Sequence, residues 1–365
     1  MKKAIIAAAV AAAIAAPAAN AGVTIYGQVH VSIDSVDMDV SSPFWYDISS
    51  NMKDQWEVNS RGSRIGFKGS EDLGNGMKAI WLAESGYDFA DGGAWASSTR
   101  QSYLGLAGDW GTFTVGRQYT PYKVAMMGSG IENMGDTAAD TSSLANISNQ
   151  GSVSNAIAYV SPSMNGLTAA VAIVPGEGSG GNDGLADTIS AGLIYSANGL
   201  YLGASYQTAN ASGDDPMWWD ASGDNPTWWG LSASYTMNNL KIAAIYEDMS
   251  DGATVLNVND FSAPSGHNSC DIGSPCTDGE TWAVSATYTM GNNALKATYG
   301  HHENNGGDDD REQTGWGVGG FHSFSKRTQA YVVYSSKEYT DNNNFIPSEE
   351  TIDTDTISVG MIHKF

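Results

Sequence analysis

The chain ends in TISVGMIHKF (residues 356–365), and this stretch decides the fold. Alternate residues of a strand point to the same side. Four residues follow this spacing with apolar side chains: Ile357, Val359, Met361 and Phe365. Barrels of bacterial outer membranes close with a C-terminal strand of this kind, which is apolar toward lipid and ends in an aromatic residue. The stretch therefore predicts a transmembrane β-barrel.

The N-terminal segment has the features of an export signal. Two lysines form a positive n-region, residues 4–16 form an apolar h-region, and residues 19–21 form a small-residue cleavage site. We therefore divide the chain into a signal peptide over residues 1–21 and a mature barrel domain over residues 22–365. Cleavage leaves 344 residues, in which 15 basic side chains face 40 acidic ones and the formal net charge is −25. This acidity argues against nucleic acid as a partner.

The mature sequence contains no run of eighteen uncharged apolar residues, so a membrane-spanning helix is not expected. Strands that cross lipid must close into a barrel, because the unpaired N–H and C=O groups of an open edge would lie in hydrocarbon. A soluble β-sandwich is the competing interpretation. It is disfavoured because 344 residues would be long for one such domain.

Short turns and long polar loops alternate along the chain. Seven tight turns carry Asn-Gly or related residues, which supply the positive φ of a hairpin turn. They lie at residues 73–76, 108–111, 164–166, 197–199, 237–239, 290–293 and 324–327. The long loops lie near residues 35–55, 90–97, 120–151, 175–186, 209–227, 249–279, 303–312 and 339–350. The pattern predicts an all-β fold, one antiparallel barrel of sixteen strands with short periplasmic turns and long external loops.

One external loop contains a tandem repeat. Residues 211–220 (ASGDDPMWWD) are nearly repeated at residues 221–230 (ASGDNPTWWG), and each copy contains a Trp pair. One interpretation is an aromatic platform that stacks sugars or lipid headgroups. The favoured one is a tolerated duplication whose Trp pairs pack on each other or lie in the interfacial aromatic girdle.

Cys270 and Cys276 are the only cysteines, and both lie in one external loop. The periplasm is oxidising, so a local disulfide between them is expected. Metal binding with nearby His267 is the alternative, but one histidine and two oxidisable thiols make a poor zinc site. No metal and no cofactor are predicted.

Three motifs resemble the general bacterial porins, which are trimeric channels of Gram-negative outer membranes. Residues 63–76 (SRIGFKGSEDLGNG) look like the second strand and turn of that family. Residues 116–121 (GRQYTP) look like the strand end that leads into its third loop, and residues 132–137 (ENMGDT) look like the acidic tip of that loop. The resemblance covers residues 22–365, and the order of the motifs is more specific than any one of them. It implies that the third loop folds into the lumen and narrows it.

The resemblance also implies a constriction in which arginines on the barrel wall face carboxylates on the inserted loop. Opposed fixed charges in a confined passage favour small hydrophilic solutes over apolar ones. The implied wall residues are Arg64, Arg100, Arg117 and Glu84, and the implied loop residues are Glu132 and Asp136.

Strand alternation tests part of this assignment. It turns Arg64 and Glu84 toward the lumen, because their neighbours in the strand place apolar side chains on the lipid face. Phe113 and Val115 also point to lipid, so strict alternation sends Arg117 outward. Arg117 can reach the lumen only if the chain bends where it enters the third loop.

Ser152 stands where the family often carries another arginine. With one wall cation fewer and a net charge of −25, we expect a negative lumen potential and a weak preference for cations. The competing view is that the acidity lies in external loops such as residues 308–310, where it is solvated or bridged by divalent ions to lipopolysaccharide. Salt would screen those charges over about 8–10 Å.

The sequence thus predicts an outer-membrane porin that is not an enzyme. Its predicted function is a water-filled diffusion channel for small hydrophilic solutes and ions, and its predicted partners are outer-membrane lipid, lipopolysaccharide and two further copies in a homotrimer. A sugar-type channel remains open, with Tyr26 as a single lumen aromatic. An enzyme at the rim is less favoured, because none of the six histidines lies in a recognisable Ser/His/Asp arrangement. Adhesion or phage reception is compatible with transport.

Overall fold

The computed structural model describes residues 22–41, 52–93, 98–147, 152–177, 184–210, 225–250, 278–304, 309–343 and 348–365. Seventeen strand segments and two short helices make up most of these residues. Among them, no helix is long and apolar enough to cross a membrane.

The first nine strands are β1 Thr24–Ser41, β2 Met52–Ser60, β3 Arg64–Gly74, β4 Met77–Gly86, β5 Ser98–Gly108, β6 Gly111–Tyr119, β7 Ser152–Val160, β8 Leu167–Val174 and β9 Thr188–Ala197. The remaining eight are β10 Leu200–Ala209, β11 Thr227–Met237, β12 Leu240–Ser250, β13 Gly279–Met290, β14 Asn293–Asn304, β15 Asp309–Ser323, β16 Thr328–Asn343 and β17 Ser348–Lys364. The helices, α1 Pro121–Met127 and α2 Thr141–Leu144, both follow β6.

The sheet closes on itself. Neighbouring strands are antiparallel, and β1 pairs with β17 over fourteen residues. Both β2 and β3 pair with β1, opposite its residues 31–38 and 24–28 respectively. They therefore form one barrel strand that is interrupted by a bend at residues 61–63. Seventeen segments thus make a sixteen-stranded barrel, and the predicted fold is confirmed.

The predicted short turns join the strands at one end of the barrel. Asn75, Asn165, Asn198 and Asn238 have φ values between 52° and 54°, as their turn positions require. The strands continue farther into the external loops than predicted, since β1 reaches Ser41 and β16 reaches Asn343. Apolar alternation marks only the lipid-embedded part of a strand, whereas the backbone ladder extends beyond it.

The outer surface carries an apolar band between two aromatic girdles. Exposed aliphatic side chains fill the band, among them Leu202, Leu231, Ile242, Leu295 and Val332. On the side of the long loops, three ring pairs have centroids 5.3–5.4 Å apart: Trp229–Tyr246, Trp282–Tyr299 and Trp316–Tyr334. On the side of the turns, Trp110 stacks on Tyr159. This surface matches lipid with interfaces on both sides.

Phe365 completes the seam, which is the junction between β1 and β17. The backbones of Gly27 and Phe365 exchange two hydrogen bonds of 3.2 Å. The Phe365 ring covers Gly27 so closely that an added Cβ would overlap it. Glycine at position 27 therefore allows the terminal aromatic residue to dock, and the predicted role of the C-terminal strand is confirmed.

Candidate permeation site

The third external loop lies inside the barrel, as predicted. It is described over residues 120–147, and this part is called L3 below. Its helix α1 begins at a Thr120 cap, whose Oγ1 accepts a hydrogen bond from Lys123 N, and Pro121 occupies the first turn. Most apolar side chains of L3 are buried against the wall, among them Ala125, Met126, Ile131, Met134 and Ala139.

A row of glycines on the lumen face makes room for L3. We call it the glycine track, and it consists of Gly192, Gly203, Gly300, Gly315 and Gly317. A Cβ added at Gly315 would lie 2.5 Å from Leu144 O, and one added at Gly203 would overlap Ala125 O. Atoms do not pack at such distances, so the loop can lie this close to β9, β10, β14 and β15 only because side chains are absent there.

Hydrogen bonds fix L3 to the same wall. Tyr201 OH and Ser232 Oγ both donate to Ala125 O, at 2.6 and 2.7 Å. Farther along L3, Lys296 Nζ donates to Asn133 O at 2.6 Å, and Asn133 Nδ2 donates to Ala286 O at 2.8 Å. These bonds satisfy polar groups of the loop that would otherwise be buried without partners.

A charged cluster faces L3 from another part of the wall. Glu84 Oε1 accepts from Arg100 Nε at 2.5 Å, and Glu84 Oε2 accepts from Tyr26 OH at 2.8 Å. Arg64 Nε lies 3.7 Å from Glu84 Oε2. The Glu84 side chain is only 7% exposed, whereas those of Arg64 and Arg100 are 25% and 27% exposed. The structure thus brings three of the four predicted wall residues together.

The acidic tip of L3 meets this wall at the bend between β2 and β3. Asp136 Oδ2 lies 3.8 Å from Arg64 Nη1, which also donates to Gly62 O at 2.8 Å. Gly62 has a φ of 56°, and a Cβ there would overlap the Asp136 carboxylate. L3 therefore crosses the lumen from the glycine track to the wall that carries Arg64, Arg100 and Glu84, which we call the arginine wall.

The sequence profile of a family described as Gram-negative porin matches residues 7–342. The chain belongs to the Gram-negative porin family. It is 27% identical over 377 residues to major outer membrane protein P.IB of Neisseria meningitidis serogroup A, with 100% of both chains covered. A shorter match to P.IB of Neisseria gonorrhoeae, 31% identical over 207 residues, covers 55% of this chain and 55% of that protein.

Solved structures show the same fold. An anion-selective porin from Comamonas acidovorans has a TM-score of 0.69 and 18% identity, with 94% of this chain and 99% of that chain covered. The trimer form of OmpT, an outer membrane protein of Vibrio cholerae, has a TM-score of 0.60 and 14% identity, with 94% and 99% covered. The family and the barrel place this porin in the outer membrane as a diffusion channel.

Arg100 of the porin reaches the charged cluster because of a β-bulge. Leu104 of the same strand is exposed to lipid, so strict alternation would also turn Arg100 outward. The register between β4 and β5 shifts between Ala83 and Ser85, and the extra residue in β5 lies opposite Glu84. Bulges redirect side chains in this way. Sequence alternation alone does not reveal the shift.

Arg117 is placed differently from the other predicted wall residues. The register between β6 and β7 shifts between Gly116 and Gln118, and Arg117 Nη1 donates to Ser154 Oγ at 2.8 Å. Ser154 is exposed and lies on β7, away from the contacts of Glu84. The structure does not bring Arg117 into the charged cluster, and its role at the constriction stays a prediction.

Glu132, the other predicted loop carboxylate, lies near a second acid, Asp140. Asp140 accepts hydrogen bonds from Ser142 N at 2.8 Å and from Asp136 N at 2.6 Å, and it caps α2. Burial, together with the charge of Asp140, raises the pKa of Glu132 to about 8, and Lys123 opposes the shift. Glu132 is therefore largely protonated at neutral pH.

Two charged residues of the site were missed from the sequence. Lys123 Nζ lies 4.3 Å from the centre of the Tyr119 ring. Arg61 forms an ion pair with the buried carboxylate of Asp34. Arg61 stands three residues before Arg64, so a second arginine beside the family motif was an available signal. The partner of Arg61 is 27 residues away, and no sequence pattern indicates it.

The second Trp pair of the repeat lies in strand β11, just past the predicted loop of residues 209–227, and one of its two rings takes the predicted interfacial position. Trp228 is 1% exposed and packs with Tyr122 and Met126 of L3, while Trp229 belongs to the outer aromatic girdle. The neighbouring residues have the composition of a loop, but Trp228 packs on L3 and Trp229 faces lipid. These contacts stabilise a strand here. The first Trp pair, in residues 211–224, lies outside the described residues, as do Cys270, Cys276 and His267.

Proposed function

We propose that this porin is a weakly cation-preferring channel whose constriction lies between the arginine wall and L3. The proposed wall residues are Arg64, Arg100, Arg117 and Glu84, and the proposed loop residues are Glu132 and Asp136. The observation that carries the proposal is the 3.8 Å ion pair between Arg64 and Asp136, because it joins the loop tip to the wall across the lumen.

The balance of local charges supports a preference for cations. Three arginines on this side of the barrel wall have a carboxylate partner: Arg61 with Asp34, Arg64 with Asp136, and Arg100 with Glu84. With these pairs balanced, the sign of the lumen potential follows the rest of the chain, which is strongly acidic. A porin of the same fold is named for anion selectivity, so the sign is the point that an experiment must decide.

Reversal potentials in planar lipid bilayers test this proposal. With a KCl gradient, the wild-type channel should give the sign of a cation-preferring pore. Arg64→Ala should increase the preference for cations, whereas Lys326→Ala, at an exposed periplasmic turn, should leave it unchanged. A wild-type potential of the opposite sign would contradict the cation preference, and an unchanged potential in Arg64→Ala would contradict the constriction assignment.

We also propose that the porin assembles as a homotrimer, for which the trimer form of OmpT provides a precedent of the same fold. We place the contact face on the outer side of β1, at Gly27, Val29 and Val31. The Phe365 ring covers Gly27, so a neighbouring barrel would contact that ring instead. Light scattering of the purified protein, corrected for bound detergent, should give three chains per particle, and a single chain would refute the proposal.

Carboxylates on the outer surface support contact with lipopolysaccharide. Four of them lie directly opposite one another on successive strands: Asp248, Glu280, Glu303 and Glu312. Like charges in this arrangement destabilise a sheet, and divalent ions shared with lipid phosphates would offset the repulsion. In the described part of the chain, no group of three His, Cys, Asp or Glu residues can hold a metal ion alone. Chelation should therefore lower the unfolding temperature in lipopolysaccharide-containing membranes but not in detergent.

We further propose that the porin has no catalytic activity. The described imidazole rings form hydrogen bonds to Tyr331, Thr281, Thr314, Asn293 and Thr328. None of these bonds, among the residues that the structure describes, involves the serine that a Ser/His/Asp arrangement needs. Hydrolysis of ester or peptide substrates by the purified protein above the rate of a heat-inactivated sample would refute this.

A further inference from the structure

A buried ion pair lies beside the arginine wall. Asp34 on β1 has a fully buried side chain, and its partner Arg61, in the bend after β2, is 27% exposed. Arg61 Nη2 donates to Asp34 Oδ2, and Arg61 Nε donates to Ser32 Oγ at 3.2 Å. Asn59 Nδ2 donates to the same Asp34 oxygen at 2.6 Å. Asp34 therefore fixes the direction of the Arg61 guanidinium and neutralises its charge.

The backbone of the bend is held independently of this pair. Arg61 N donates to His30 O at 2.8 Å. Ser63 Oγ accepts from His30 N and donates to His30 O, both at 2.9 Å. These bonds attach the bend to β1 on both sides of Gly62. A neutral residue at position 34 would therefore leave the Arg61 charge without a counter-charge while the bonds of the bend remain.

Arg61 stands next to the place where the tip of L3 meets the wall. Gly62, the residue after Arg61, lies against the Asp136 carboxylate, and Arg64 lies 3.8 Å from that carboxylate. Arg61 is thus one residue along the chain from the place where the loop tip meets the wall. Its charge affects permeating ions only if Asp34 does not neutralise it.

We propose that Asp34 is a selectivity-determining residue of the channel, because it holds Arg61 and neutralises its positive charge beside the constriction. The proposal rests on the proposed location of the constriction at this bend. A unit charge a few ångströms from the permeation path changes the local ion concentration about fivefold in water, and salt reduces the effect. Asp34 is far from the L3 motif in sequence, and it does not itself line the open passage.

Glu57 provides a matched control. It lies on β2 directly opposite Asp34, on the same face of the barrel wall. Its carboxylate accepts hydrogen bonds from Gln55 Nε2 and Asn59 Nδ2, both at 3.1 Å. Glu57→Gln therefore removes one carboxylate from the same neighbourhood while the bond between Asp34 and Arg61 remains.

The test compares reversal potentials of D34N, R61Q, the double variant D34N/R61Q and E57Q in the same KCl gradient. D34N should lower the K⁺/Cl⁻ permeability ratio by about two- to fivefold, and R61Q should raise it by a similar factor. The double variant should return close to the wild-type ratio, because the two charges cancel. E57Q should lower the ratio less than D34N does.

The proposal fails if D34N leaves the ratio unchanged, or if D34N/R61Q resembles D34N, since Arg61 would then not carry the effect. A fall in E57Q equal to that in D34N would also overturn it, because only the number of carboxylates would matter. Far-UV circular dichroism confirms that each variant is folded. If D34N does not assemble, the proposal is tested by the rise of the permeability ratio in R61Q. If R61Q does not assemble, it is tested by the fall of that ratio in D34N. The sign of the wild-type potential tests the proposed cation preference, whereas the differences between variants do not depend on that sign.

Discussion

Two parts of the barrel wall face the lumen with opposite chemistry. The wall from β9 to β15 presents the glycine track and the side chains of Tyr201, Ser232 and Lys296, and L3 lies directly on it. The wall from β1 to β5 presents arginines, carboxylates and tyrosines, and it meets L3 at Asp136. We propose that the first part sets how far the loop projects into the lumen and that the second sets the charges that a solute meets. Different residues would then control the width and the charge of the pore.

The energetics of the two parts also differ. Behind L3, Met126, Ile131 and Trp228 are almost completely buried, and burying a large apolar side chain contributes about 1.5–3 kcal/mol. At the arginine wall, the ion pair between Arg64 and Asp136 is partly exposed, and such a pair contributes about 0–1 kcal/mol. Packing thus holds the loop in place, and the charges of the opposite wall are free to serve selectivity.

The largest effect is expected where the glycine track is filled. Gly315→Val on β15 would place side-chain atoms within 2.5 Å of Leu144 O, so L3 must shift. We expect a destabilisation of about 1–3 kcal/mol and a changed single-channel conductance. Gly320→Val on the same strand is the control, because a Cβ there meets no atom within 4 Å. Equal behaviour of the two variants would mean that the track does not position L3.

The next largest effect on the channel is expected at the charged cluster, and it is a change of selectivity. Glu84→Gln leaves Arg100 and Arg64 without their shared carboxylate, which favours anions, and Arg100→Ala favours cations. Each should change the permeability ratio by up to about fivefold, measured as a reversal potential at low salt. Lys326→Ala serves as the control. Shifts of the same sign in both variants would contradict the assignment.

A smaller, pH-dependent effect is expected from L3. Glu132 is neutral below its pKa of about 8 and negative above it, so the preference for cations should grow as the pH rises through about 8. Burial lowers the pKa of Lys123, and loss of its charge acts in the same direction. Glu132→Gln should remove most of the change in reversal potential between about pH 6 and pH 10. An unaltered pH profile in this variant would assign the titration to another group.

The smallest effect is expected where Asn133 of L3 contacts β13 and β14. Asn133→Ala removes the hydrogen bonds from Nδ2 to Ala286 O and Ala297 O, at 2.8 and 3.0 Å. We expect a loss of about 1 kcal/mol and more frequent brief closures in single-channel records, with the open conductance unchanged. Asn292→Ala, at the exposed turn between the same strands, should match the wild type. An unchanged frequency of brief closures in Asn133→Ala would show that packing alone fixes this part of L3.

Much of the fold could be predicted because its signals are local. Alternation around Val359 and the Asn-Gly turn at Asn75 each involve a few neighbouring residues, and turns of this kind along the chain, counted with the long loops, gave the strand number. The site was less accessible. Arg100 faces the lumen because of a register shift, and register depends on the neighbouring strand. Trp228 looked like part of a repeat, but it is buried by a loop about 100 residues earlier in the chain.

The seam between β1 and β17 has a consequence for biogenesis. His30 and Tyr331 form a hydrogen bond although they are 301 residues apart, and the neighbouring ladder joins strands just as distant. Such long-range pairing forms slowly, and strand edges left open in the meantime attract other chains. The polypeptide must therefore be kept from aggregating during transit until its first and last strands can meet, and an arrested chain lacking its final strand would present two unsealed edges to the assembly machinery.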